Sequence, residues 1–243
     1  MVAQADIEQF RAANSQLSQL VRDALEAFFA SLDLSKPEAA RDALLEFVPV
    51  LTQQYGDVAA TLAADWYDEL RAASGAAGRF RALTSAAVPS GAVEAKVRYL
   101  AGHLWTPEPT AMLGGLLTAT DKYVKQPARN TVAANAKREG VRWARVPTGA
   151  KTCSWCLILA SRDAVFHSKA SAGGDGNHYH GDCDCQPVRI AKASDYPAGY
   201  LPDDHYEMYQ AARNEAKSGD IKDISAAFRR LHPDVVNDGV HTH

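Results

Sequence analysis

All four cysteines of this 243-residue chain fall in one short stretch, as Cys153, Cys156, Cys183 and Cys185, and three of its eight histidines, His167, His178 and His180, lie among them. The pattern reads Cys153-x-x-Cys156, a spacer, then His180-x-x-Cys183-x-Cys185. Zn²⁺ takes four thiolate or imidazole ligands in a tetrahedron, and ligands paired two or three residues apart let one turn supply two corners. Cys153, Cys156, His180, Cys183 and Cys185 therefore compete for four places. The set favoured by the spacing is Cys153, Cys156, His180 and Cys185, with Cys183 as the substitute and His178 behind it. With every position filled by protein, the ion would be structural, with no open position for hydrolysis.

Other chemistries fit the same residues. Cys153 and Cys156 alone make a redox pair, a reading that leaves Cys183 and Cys185 unexplained. Two disulfides suit a chain that ends outside cells, and plain buried thiols are the blandest alternative. No apolar run approaches the roughly 18 residues needed to cross a bilayer, and "MVAQADIEQFRAANSQ" reads as an amphipathic helix, not an export signal. Synthesis in a reducing cytoplasm is the expectation, where clustered thiols more often bind metal or do redox work.

Hydrophobic periodicity places this stretch within a larger architecture. Ile7, Phe10, Leu17, Leu20, Val21, Leu25, Phe28, Phe29 and Leu32 recur at helical intervals, and a second block runs from Leu44 to Leu70, with Pro49 expected to kink it or begin a new helix. Helices are predicted again over about 90–105, with Ser90 as N-cap, and over about 110–138. After Gly140, "VRWARVP", "DAVFHS" and "CQPVRIA" read as short strands and "CSWCLILAS" as a short helix. Two helices close the chain, capped by Asp203 or Asp204 and by Asp220. The predicted class is α+β: a mainly helical region at 1–140, a small Cys/His-stapled α+β module at 141–193, and C-terminal helices with a polar tail at 194–243.

A formal charge of -3 and a pI near 6.2 argue against a wholly electrostatic nucleic-acid binder. A local basic stretch nevertheless follows Asp121, and Lys122, Lys125 and Arg129 are spaced for one helical face. Together with Lys137 and Arg138 they form a surface suited to phosphates or an acidic protein, the bland alternative being a solvated face. His167, Ser168, Lys169, His178, His180 and Asp182 include the residue types of acid–base catalysis, but no GxSxG, GKS/T, HExxH or GxGxxG pattern accompanies them, and a non-enzyme is expected.

The segments "VPTGAKTCSWCLILASRDAVF" and "YHGDCDCQPVRI" resemble the Mu F-like minor head proteins of tailed bacteriophages, particularly those of actinobacteria. The motif covers Val141 to Ile190, and the order of elements matches over most of the chain. Many members read His-Pro-x-Cys-Arg-Cys where this sequence has His180-Gly181-Asp182-Cys183-Asp184-Cys185; the ligand spacing survives while the local charge changes. The resemblance implies a structural minor capsid protein, synthesised in the bacterial cytoplasm, located in the virion at the portal and head interior, and serving assembly or DNA delivery. Its implied partners are the portal or major capsid protein and packaged DNA, with no membrane. A head-maturation protease or a toxin-like nuclease is the alternative from another functional class.

Overall fold

A computed structural model describes residues 4–148, 151–162 and 185–236. The predicted strand "DAVFHS" lies outside them, as do His167, Ser168, Lys169, His178, His180, Asp182 and Cys183. Among the described residues the fold is mainly helical with one two-stranded sheet, in agreement with the α+β expectation. Helices α1 (Gln4–Ala30), α2 (Pro37–Ala73), α3 (Ser90–Leu100) and α4 (Met112–Glu139) form the body. Strand β1 (Arg142–Val146), helix α5 (Ser154–Ala160) and strand β2 (Gln186–Ile190) follow, then α6 (Pro202–Ala216) and α7 (Ile221–Leu231).

The apolar stripe of α1 is buried at Ile7, Phe10, Leu17, Val21, Leu25 and Phe29, whereas Leu20, grouped with it by spacing, is 54% exposed. Phe10 stacks on Trp66 of α2 at 4.2 Å between ring centroids, and Phe28 on Phe47 at 3.8 Å. Helix α2 runs through Pro49 without a new start. Proline removes one helical N–H, a change costing about 3 kcal/mol. Buried Leu44, Val48 and Leu51 on either side hold the helix together, and Thr52 Oγ1 donates to the carbonyls of Val48 and Pro49 at 3.0 Å each. Pro127 lies inside α4 in the same way and marks its crossing with α2: a Cβ on Gly56 would stand 3.2 Å from Pro127 Cγ. A Cβ on Gly115 would meet Leu100 Cδ2 at 2.7 Å, so glycine lets α3 approach α4.

Two predicted caps differ. Ser90 is the first residue of α3, with Pro89 in the cap position, and the stretch after Leu100 tightens into a 3₁₀ turn at Ala101–Trp105. Helix α6 starts on Pro202 with Leu201 at the cap, so Asp203 and Asp204 occupy its first turn. Their charges still favour the positive helix end. Asp220 does cap α7, accepting from Lys222 N at 2.7 Å.

Gly140 ends α4 in the left-handed region, φ 77°, and turns the chain into β1. Strands β1 and β2 pair antiparallel, with Trp143 opposite Arg189 and Arg145 opposite Pro187. One buried cluster gathers Ile7 and Phe10 of α1, Trp66 and Tyr67 of α2, Val132 of α4, Trp143 of β1, Val188 of β2 and Tyr200. The sheet thus shares its core with the helical body. A second cluster packs Leu157 and Ile158 of α5 against Ala212 of α6 and Ile224 and Phe228 of α7. Among the described residues, no helix is long and apolar enough to cross a membrane.

Candidate functional site

The fold brings three of the four cysteines together. Cys153 occupies the N-cap of α5, where its Sγ accepts from Cys156 N at 3.4 Å, and Cys185 directly precedes β2. Cys156 and Cys185 are completely buried and Cys153 nearly so, with Trp155 packed on the group. The sulfurs of Cys156 and Cys185 are 3.0 Å apart. A disulfide would bring them to about 2.05 Å, and a tetrahedral ion with Zn–S bonds of about 2.3 Å would hold them about 3.8 Å apart. The donor chemistry suits zinc, provided the pair opens by about 0.8 Å and a fourth donor arrives from His180 or Cys183. Among the described residues, no group of three or more His, Cys, Asp or Glu side chains is arranged to hold an ion. Arg145, fully buried on β1, places Nη1 3.9 Å from Cys185 Sγ and sets a cation beside the sulfur.

At the far end of β2 stands an ionic hub that sequence reading did not find. Arg189, 2% exposed, donates from Nε and Nη2 to the two carboxylate oxygens of Glu139 at 2.6 and 2.5 Å. Glu139 also accepts from Tyr67 Oη at 2.6 Å and Arg71 Nε at 3.1 Å. Arg189 Nη1 reaches Ser74 Oγ at 3.2 Å and Asp195 Oδ2 at 3.3 Å, and Asp195 takes the backbone N–H of Ala191 at 3.0 Å. One strand arginine thereby ties together the ends of α2 and α4 and the turn after β2.

The charges in the hub set one another. Burial alone would raise the Glu139 pKa, but hydrogen bonds from Arg189 and Tyr67 and the two guanidinium charges outweigh it and hold the carboxyl below its ordinary value. Arg189 is pushed further up: burial opposes its charge, and Glu139 more than compensates. Tyr67 is driven well above the usual phenol range by burial and by the carboxylate it faces.

The predicted basic face is divided by the fold. Arg129 is 2% exposed and sits inside, so it does not present its charge to a surface ligand. Lys122 and Lys125 are half-buried, and Lys125 Nζ pairs with Asp121 at 2.8 Å. Lys137 and Arg138 are exposed at the end of α4, with Arg138 stacked over Phe80 at 4.3 Å and donating to the Arg81 carbonyl. Burial of Arg129, Arg145 and Arg189 is the feature a count of charges misses; for Arg145 and Arg189 the available signal was arginine inside otherwise apolar strands, "RWARV" and "QPVRI".

The model of the VG15 protein family matches residues 1–212, a span that takes in the helical body, the sulfur cluster and the hub. A Gene 15 protein of Mycobacterium phage D29 is 30% identical over 167 residues, covering 51% of this chain and 61% of the phage protein. The match therefore spans less than two thirds of that relative. No solved structure matches the chain. With a single family model running from the first helix into α6, the chain belongs to the VG15 protein family.

Proposed function

We propose that this chain is a structural component of a tailed-phage particle, a minor head protein of the Mu F-like kind that works at the portal and head interior in assembly or DNA delivery. The family match over residues 1–212, joined to the mycobacteriophage relative, is the observation that carries this reading. The fold supports it with side chains typical of protein docking: Tyr99 is 75% exposed and Trp105 50%, each beside a cation, Lys96 and Arg41. Portal or major capsid protein is the proposed partner class, and Lys137 and Arg138 are the exposed members of the basic set available to DNA.

Zinc belongs to the same proposal. Cys153, Cys156 and Cys185, completed by His180 or Cys183, would hold it, and its chemistry there is to cross-link α5 to the start of β2. Metal analysis of freshly purified protein alongside a thiol titration tests this, with one zinc per chain expected and metal-free protein with fully reactive thiols contradicting it. For the particle role, peptides of the chain are expected in gradient-purified virions, and a phage lacking the gene is expected to assemble defective heads. Absence from virions, combined with hydrolysis of DNA or capsid protein that alanine at His178 or Ser168 abolishes without unfolding, assigns it to the nuclease or protease class instead.

A further inference from the structure

Cys156 and Cys185 are 29 residues apart in the chain, yet their buried sulfurs lie 3.0 Å from each other. Both are held from outside the pair. Cys156 is in the first turn of α5, whose Leu157 and Ile158 are packed into the core with α6 and α7. Cys185 adjoins β2, whose register is fixed against β1 from Gln186 to Ile190. The separation is shorter than the roughly 3.8 Å of thiolates sharing a zinc ion and needs about 1 Å of closure to reach bonding distance.

We propose that Cys156 and Cys185 form an intramolecular disulfide when the chain meets a small peroxide. Both sulfurs are completely buried, so the reaction proceeds from a local opening that admits the peroxide. There the Cys185 sulfur, beside the Arg145 guanidinium, attacks one peroxide oxygen; the O–O bond breaks, water leaves, and Cys185 carries a sulfenic acid. The Cys156 sulfur then attacks the Cys185 sulfur, forming the S–S bond and breaking the S–O bond, and a second water departs with the Cys156 proton. Two thiols are oxidised and one hydrogen peroxide is reduced to two waters. The bond ties α5 to the start of β2 and excludes an ion from these two sulfurs. In a phage particle it would form only where these sulfurs hold no zinc, after release from the reducing cytoplasm; that consequence rests on the particle reading, whereas the cross-link does not.

The test uses the full chain, purified under reductant, freed of metal with EDTA, and treated with hydrogen peroxide. Remaining thiols are alkylated and the protein is digested without reduction for peptide mass spectrometry. The expected product is a Cys156–Cys185 linked peptide pair, lighter by two hydrogens than its reduced parts. A rise in thermal midpoint of roughly 5–10 °C, reversed by dithiothreitol, is expected with it. A dominant bond between Cys153 and Cys156, a dominant bond to Cys183, or Cys156 and Cys185 still open to alkylation overturns the proposal. C156S should abolish the midpoint rise, and because the bond is mapped on the natural chain, its assignment holds even if this variant does not fold. Failure of the cross-link leaves virion copurification to judge the particle role separately.

Discussion

The two ends of β2 are secured by unlike chemistry. At the Arg189 end, a guanidinium and a carboxylate satisfy each other with bonds of 2.5 and 2.6 Å, inside a setting completed by Tyr67, Arg71, Ser74 and Asp195. At the Cys185 end stand the sulfurs of Cys156 and Cys153 and the Arg145 guanidinium, and under the zinc and disulfide proposals their state follows what the surroundings supply, whether reductant, oxidant or metal. The ionic anchor is therefore set by pH and by the folded chain itself. The sulfur anchor is set by its compartment. On those proposals, a strand of five residues that unites helical body and sheet is constitutively fixed at one end and conditionally fixed at the other.

Breaking the ionic anchor should give the largest effect. Arg189→Ala leaves Glu139 partly buried among fewer donors, and a loss of about 3–5 kcal/mol is expected in denaturant unfolding. Glu139→Gln keeps the shape and removes the charge, so a smaller loss of about 1–3 kcal/mol is expected at neutral pH. The same variant sharpens the pH contrast. Because the folded Glu139 pKa is depressed, its contribution is full above the unfolded value of about 4.3 and is lost as pH falls through the folded value. The stability gap between natural protein and E139Q should accordingly close on acidification, as thermal melts across that window would show.

Two controls lie outside both anchors. Asp220→Ala removes the α7 cap and should cost about 1 kcal/mol, with no dependence on peroxide. Lys125→Met breaks a pair one helical turn long and should change stability by only about 0.3–0.5 kcal/mol. A larger loss there would mean that the basic face supports the fold more than its geometry indicates.

How far the sequence discloses this arrangement depends on the range of the interactions. Periodicity finds α1, α2 and α4 because each pairs an apolar stripe with local neighbours, and the Cys-x-x-Cys spacing puts Cys153 and Cys156 at a helix start as α5 has them. The Cys-x-x-Cys and Cys-x-Cys spacings also bring Cys185 into the same expected group, and its sulfur lies 3.0 Å from that of Cys156. The hub has no such local mark: Glu139 joins Arg71 across 68 positions and Arg189 across 50. Pro49 does not begin a new helix, since packing on both sides outweighs a local breaking tendency. Charge counting likewise groups Arg129 with surface lysines, although tertiary packing encloses it.

Four residues of extended strand separate Cys185 from Arg189 by about 13 Å, far enough for independent effects to add. Thermal midpoints of the natural chain and E139Q, each reduced and peroxide-treated, test both anchors in one experiment. A fall from E139Q and a rise from oxidation are predicted, summing in the doubly altered protein. No fall in the reduced variant, or a rise from oxidation that disappears once Glu139 is replaced, would contradict two independent anchors.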